Sequence, residues 1–410
     1  MDKKKVELLS PAGTYEKMVT AFNFGADAVY VAGQRFGLRA FAGNFSSEEL
    51  KNACEYAHSL NKKIYVTLNI LAHESDFDGL EEYLKYLEEI KIDAVIVADI
   101  GIVNFIKKVA SNLEIHISTQ ANCLNSHSIN FMAEMGVKRV VLARELTIEE
   151  IKKIRSKIPS HIELEAFVHG AMCISYSGRC LLSNYFTGRD SNRGACVQAC
   201  RWEYALKKFD SDKNEYYPIS EDERGTYILN SKDMNMIRHI DELIDAGVTS
   251  FKIEGRMKSE YYVANVTNAY RKAINLYYEN PNNYVCPDEL YNELAKSSHR
   301  KYTTGFYFGS NDKECLESSL PVATHDFIAY ALEDCENGKV LVEQRNKFVK
   351  GEELEILSSS NLHNNKIVIE KMTNLDGEEF DVANKVQQKI YIHTNLPLKK
   401  GDIIRKERNK

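Results

Sequence analysis

No stretch of this 410-residue chain is apolar for the roughly 18–20 residues a membrane-spanning helix needs. The basic start, MDKKKVELLSPAG, has no apolar core behind it, so a secretory leader is not expected. The expectation is a cytoplasmic protein with no membrane partner. In reducing surroundings, clustered cysteines serve as ligands or catalysts rather than disulfides. Excess positive charge is missing as well. The formal net charge is −6, which does not suggest general polyanion binding but leaves room for a local basic face. No GxGxxG follows the first apolar run, which weakens dinucleotide binding. No GxSxG supplies a serine elbow, and no HExxH supplies a zinc-peptidase helix.

What is present is an ordinary globular composition, 44% hydrophobic and 27% charged, long enough for one large domain and a small one. A unit recurs along the first two thirds. A short apolar run ends in polar or small residues, a segment with helical spacing follows, and Gly or Asp precedes the next run. The runs are Val6–Leu9, Val29–Val31, Ile64–Leu68, Val95–Ala98, Ile115–Ser118, Val140–Ala143, Leu164–Val168, Tyr227–Leu229 and Phe251–Ile253. Strands alternating with helices imply a parallel sheet, and continuous apolar runs imply that both faces are covered. Eight such units close a (β/α)8 TIM-like barrel. Tyr227–Leu229, the shortest of the nine candidates, is the one to leave outside it. The alternative is an open doubly wound sheet.

In a barrel the residues just past each strand form the catalytic mouth. Here they include Asn69, Ser118-Thr119-Gln120, Arg144-Glu145, His169-Gly170, Lys232-Asp233 and Lys252-Glu254-Arg256-Lys258. From about Pro321 short β-rich runs alternate with turns, and a small C-terminal β-barrel domain is expected over 321–410, after a catalytic domain over 1–320. The tail Lys399–Lys410, with six basic and two acidic residues, is expected to be a solvated end.

The chemistry concentrates in a Cys-rich insertion, residues 170–226. Spread evenly, nine cysteines over 410 residues would put roughly 0.6 in the 28 positions from Cys173 to Cys200, yet Cys173, Cys180, Cys196 and Cys200 all lie there. Four thiolates can hold zinc or an iron–sulfur cluster. The spacings, C-x6-C and C-x3-C separated by fifteen residues, fit paired zinc knuckles poorly and a cluster gathered by loops better. Cys54, Cys123, Cys286, Cys315 and Cys335 read as packing or incidental. A nucleophilic cysteine is also open, since Cys173 follows His169 by four residues with Glu165 nearby. Tyr176, Tyr185, Phe186, Arg189 and Arg193 lie in the same loop, suited to stacking and phosphate contact.

The stretch Glu165-Ala-Phe-Val-His169-Gly-Ala-Met-Cys173-x4-Gly178-Arg-Cys180-Leu-Leu-Ser183 resembles the peptidase U32, or collagenase-like protease, family. Glu7-Leu-Leu-Ser-Pro-Ala-Gly13, Ser118-Thr-Gln-Ala-Asn122, Leu229-Asn-Ser-Lys-Asp233 and Lys252-Ile-Glu-Gly-Arg256 are similar to it too, so the resemblance spans nearly the whole chain. It implies the following. Relatives of this type are prephenate-dependent tRNA hydroxylases that make 5-hydroxyuridine at the wobble position. Cys173, Cys180, Cys196 and Cys200 match a [4Fe–4S] ligand set, with zinc as the alternative. tRNA is the partner, together with a small dicarboxylate, prephenate, and a related family protein or a second copy of the chain. Cations past the strands, Arg144, Lys252, Arg256 and Lys258, suit carboxylate binding. Tyr176, Arg189 and Arg193 complete the expected substrate contacts, and His169 and Glu165 are the acid/base candidates. Two rival functions stand beside this one: a U32-type peptidase, and a non-catalytic RNA-binding protein with structural zinc.

Overall fold

The computed structural model describes residues 5–34, 36, 44–173, 175–176, 180–189, 191, 195–202, 221–222, 225–226, 232–309 and 321–408. Eight parallel strands close on themselves: β1 (Glu7–Pro11), β2 (Ala28–Val31), β3 (Lys63–Leu68), β4 (Ala94–Val97), β5 (Ile115–Ile117), β6 (Arg139–Val141), β7 (Glu163–Ala171) and β8 (Ser250–Ile253). β8 pairs with both β7 and β1, in registers Ser250↔Glu165 and Glu7↔Ser250, and this joint completes the barrel. The expected TIM-like barrel is therefore present, and the open sheet is not. Eight strands suffice without Tyr227–Leu229, which lies outside the described residues.

The outer layer contains α1 (Tyr15–Asn23), α2 (Ser47–Ser59), α3 (Leu80–Glu89), α4 (Ile100–Val109), α5 (Ser126–Glu134), α6 (Ile148–Arg155), α8 (Ile240–Asp245) and the long α9 (Glu260–Glu279), with α10 (Asp288–Leu294) following; α7 (Leu182–Thr187) belongs to the Cys-rich segment. Local chemistry starts these helices. Ser46 with Glu49 and Thr147 with Glu150 form capping boxes, and the Asp99 carboxylate caps α4 by accepting from Gly101 N and Ile102 N. Leu80, Leu84 and Leu87 on α3, and Ile148, Ile151 and Ile154 on α6, recur at helical spacing and are buried against the sheet.

The barrel lumen has two characters. One layer is apolar and aromatic: Leu9, Ala28, Tyr30, Tyr65, Ala94 and Ile96 form a buried cluster. The other is ionic. Arg139, from β6, bonds to Glu7, Glu163 and Glu165, and His116 bonds to Glu114 at 2.9 Å.

The C-terminal domain is an antiparallel seven-stranded half-barrel. Its strands run in the order Lys366–Val368, Glu353–Leu357, Ile403–Glu407, His325–Ala331, Lys339–Gln344, Lys389–His393, Met372–Thr373. It has its own core of Ile328, Val342, Ile356, Ile392 and Ile404. One expectation fails here. The basic tail is not a solvated end, because Ile403–Glu407 is an inner strand of this sheet. Arg405 on it is fully buried and ion-paired to Glu293 of α10 and to Glu355. Two carboxylates provide the compensation that a buried guanidinium requires; Asp402–Arg405 is thus one of the expected β-rich runs, and only the solvated-end reading of the tail fails. Asn268 of α9 donates to Ser358 O, and Tyr261 stacks on Phe327, which fastens the domain to the barrel.

Candidate active site at the barrel mouth

A cavity of about 440 Å³ opens at the carboxyl ends of the strands. Barrel geometry carries the residues after each strand to this face. Thr67 comes from β3 and Asn69 from just past it, Ser118 to Gln120 from the turn after β5, Arg144 from the segment after β6, and Lys252 to Lys258 from β8 and its loop. Among the lining residues five cations, Arg144, Lys252, Arg256, Lys258 and Arg300, face two carboxylates, Asp233 and Glu254. The mouth is thus electropositive in a chain of net charge −6.

Each cation is held differently. Arg144 donates to Ala171 O at 2.7 Å and to Glu254 at 3.3 Å, and its guanidinium lies 3.9 Å from the Phe167 ring centroid. Among the described residues its buried Nε has no hydrogen-bond partner. Lys252 donates to Glu165 at 2.8 Å and lies 4.6 Å from the Tyr30 ring centroid. Arg256 donates to Thr67 Oγ1 at 3.1 Å, Lys258 donates to Ser298 O at 3.1 Å, and Arg300 pairs with Asp233 at 3.4 Å. The Glu254-Gly255-Arg256 turn is wedged between strand ends. A Cβ on Gly170 would meet Glu254 O at 2.6 Å, and one on Gly13 would meet Arg256 O at 2.4 Å. Gly170 also has φ +108, so only glycine fits there without strain.

Cys173, Cys180, Cys196 and Cys200 all line the same cavity. They are free thiols. Crowding by the loop raises the Cys173 pKa, against the pull of the Ser175 N–H and Arg144, and neighbouring Cys180 and Cys196 raise it further. Four thiols on one wall match an iron–sulfur or zinc donor set in number and kind. Among the described residues no three of His, Cys, Asp or Glu stand close enough together to hold a metal ion. Cys54 and Cys123 are buried away from this wall, and Cys315 lies outside the described residues.

The two acid/base candidates are elsewhere. Glu165 is fully buried one layer below the cavity and accepts from Lys252, from Arg139 at 3.1 Å and from Ser250 at 3.2 Å. Burial would raise its carboxyl, but Lys252 and Arg139 outweigh that and hold it below the usual range. His169 turns away from the lumen. Strand alternation would align it with Glu165 and Phe167. The register shifts, however, so that Lys252 pairs with Phe167 and Ile253 with His169, a bulge that reverses the side. Its ring packs among Tyr262, Tyr270 and Tyr302 at 5.5–6.0 Å. Burial, assisted by His299 and Lys258, lowers its pKa to about 3. Neither residue lines the cavity, and no histidine stands among the lining residues, so the described residues assemble no Cys173–His169 pair. Tyr176 is exposed, Arg189 is exposed, and Arg193 lies outside the described residues.

Tyr30 and Phe167 are among the lining residues absent from the expected contacts, whereas Arg300 belongs to the basic, aromatic segment Ser298–Phe306, which the sequence marks as a possible contact surface. Tyr30 and Phe167 sit inside apolar runs, where alternation points them into the lumen, and that pattern could have found them. Arg300 lies beyond α10 and comes to the mouth beside Asp233, in the short strand Asp233–Asn235 that pairs antiparallel with the end of β7.

Fold and site together define a (β/α)8 protein with a ligand cavity at its catalytic face. Residues 13–317 match Peptidase family U32, and residues 323–405 match the Peptidase family U32 C-terminal domain. The chain belongs to that family. It is 42% identical over 399 residues to the tRNA hydroxylation protein P1 of Bacillus subtilis, covering 95% of this chain and 93% of that one. It is 36% identical to the tRNA hydroxylation protein P of Escherichia coli, covering 92% and 91%. To the 23S rRNA 5-hydroxycytidine C2501 synthase of Escherichia coli it is 38% identical, over 66% of this chain and 39% of that one. Among the described residues no helix is long and apolar enough to cross a membrane.

Proposed function

We propose that this protein hydroxylates uridine at C5 in the wobble position of tRNA, with prephenate as the oxygen-bearing co-substrate and a [4Fe–4S] cluster on Cys173, Cys180, Cys196 and Cys200. The observation that carries this reading is the convergence of four thiols and five cations on one cavity at the barrel mouth. The relatives named for tRNA hydroxylation, which match over nine tenths of the chain, support the reaction class.

The cluster, when bound, supplies one-electron redox chemistry that zinc lacks. The rest falls to this chain's own residues. Arg144 and Arg256 present planar forks to carboxylates, and the Arg144 guanidinium lies over the Phe167 ring. Lys252 is already neutralised by Glu165, so it shapes the floor more than it attracts anions. Tyr30 and Phe167 offer a ring-sized apolar wall. Replacing the C5 hydrogen by hydroxyl removes two electrons from the base, and the co-substrate that gives up the oxygen takes up those two electrons and the displaced hydrogen, so the two must meet in the cavity. Among the described residues no histidine lines the cavity beside Cys173, and His169 faces the tyrosines, which leaves the U32 peptidase reading without a Cys–His pair there.

The test is nucleoside analysis of tRNA from a strain lacking the gene. The 5-hydroxyuridine-derived nucleosides should vanish, return with the wild-type gene, and stay absent with Arg256→Ala. An unchanged nucleoside profile in the deletion strain rejects the reading. Anaerobic purification should yield about four irons per chain; one zinc and no iron rejects the cluster.

A further inference from the structure

The segment that carries the thiols also carries an exposed aromatic patch that the cavity does not use. Tyr185 is 83% exposed, Phe186 47% and Trp202 41%. Their rings touch in series, Tyr185 to Phe186 at 5.3 Å and Phe186 to Trp202 at 6.2 Å between centroids. Large aromatics clustered in water cost free energy unless something covers them.

The patch is tied to the cavity wall. Leu182 and Ser183 line the cavity, and α7 carries Tyr185 and Phe186 just beyond them. Ser183 Oγ donates to Ala195 O at 3.3 Å and accepts from Val197 N at 3.1 Å, which joins α7 to the Cys196–Cys200 loop. Trp202 follows that loop, its N–H donating to Ala199 O at 3.0 Å. The aromatics therefore form a continuous ledge with the cavity rim. Beside them Arg189 is exposed, with its N–H bonded to Thr187 Oγ1, and the adjoining cavity has five cations against two carboxylates. An aromatic ledge leading into an electropositive hole fits a polyanion whose bases are unpaired and able to stack. A duplex hides its base faces, and a purely apolar protein partner would not match the cations.

We infer that Tyr185, Phe186 and Trp202 form a stacking platform for unpaired nucleotides flanking the base that enters the cavity. The inference rests on the proposed RNA substrate, but its readout is binding rather than hydroxylation. Trp202 is the only tryptophan in the chain, so its fluorescence reports the platform directly.

The experiment titrates the anaerobically purified full-length protein with a short uridine-containing single-stranded oligoribonucleotide, and with the same strand in a duplex. The single strand should quench Trp202 and the duplex should not. Tyr185→Leu and Phe186→Leu should each weaken binding roughly 5- to 100-fold with little change in salt dependence. Tyr185→Phe should restore it. Arg189→Ala should lower the slope of log affinity against log salt by about one. Equal quenching by duplex, affinities unchanged by the leucine variants, or a fluorescence change driven by protein concentration alone would overturn the platform; the last would assign the patch to a second copy of the chain. Binding with this pattern in a protein whose deletion leaves tRNA unchanged would keep the platform and remove the hydroxylase reading. Normal tRNA modification without quenching would do the reverse.

Discussion

Replacing Glu165 by glutamine discriminates between two roles that its position near His169 and Cys173 invites. The structure puts the carboxylate at full burial, bonded to Lys252, Arg139 and Ser250. Glu165→Gln keeps the size and shape of the side chain and removes its charge. Lys252 then loses its carboxylate partner, while Arg139 keeps Glu7 and Glu163. Breaking a buried pair by removing one partner costs about 3–5 kcal/mol, and the remaining partners of Arg139 favour the lower end. For a chain of 410 residues that is a fall in Tm of about 4–6 °C. Thermal unfolding followed by circular dichroism measures it. Adding Lys252→Met to Glu165→Gln should recover most of the loss, because it removes the stranded charge. The sign with pH follows from the lowered carboxyl. The stabilisation is present above the unfolded-state carboxyl pKa and disappears as pH falls through the folded one. A Glu165→Gln protein that melts within about 1 °C of the wild type, yet has lost hydroxylation, would refute the ionic role and restore Glu165 as an acid or base.

Three further outcomes follow from the geometry. His169, lowered to about 3, binds a proton in the unfolded chain before it does in the fold, so stability should decline as pH drops below about 6.5. His169→Phe should flatten that part of an acid-unfolding series, and an unchanged slope would count against neutral burial. Gly170→Ala should displace the Glu254–Arg256 turn through the 2.6 Å contact and weaken dicarboxylate binding at least tenfold by calorimetry, with the fold kept by circular dichroism; unaltered affinity would show the turn is not fixed there. Arg405→Met should leave Glu293 and Glu355 to Lys296, which pairs with both, costing about 3 kcal/mol, and should separate the barrel and C-terminal unfolding transitions in calorimetry; a single transition at the wild-type temperature would contradict the interface.

The barrel was legible because each strand is a short run of residues buried on both sides, and the caps at Ser46, Asp99 and Thr147 are local chemistry. The cationic mouth was legible for the same reason, since Arg144, Arg256 and Lys258 stand just past strand ends. Glu165 and His169 were not. Their proximity in sequence to Cys173 says nothing of depth, and a bulge opposite Lys252 and Ile253 changes which side His169 faces. Arg405 was misjudged because its partners, Glu293 and Glu355, are distant in sequence. Arg300 lies in the basic, aromatic segment Ser298–Phe306 that the sequence marks as a possible contact surface, but its place at the mouth depends on Asp233, 67 residues away.

The antiparallel pairing of Asp233–Asn235 with the end of β7 acts as a stem that closes the thiol-bearing excursion at its base. Hydrogen bonding around the barrel passes from β7 directly to β8 and needs nothing from that excursion. The barrel can therefore mature first, while the loop, whose closure entropy grows only slowly with length, settles afterwards. On the proposed reading of the thiols, loading the group they hold is then an event on a closed barrel rather than a condition of closing it.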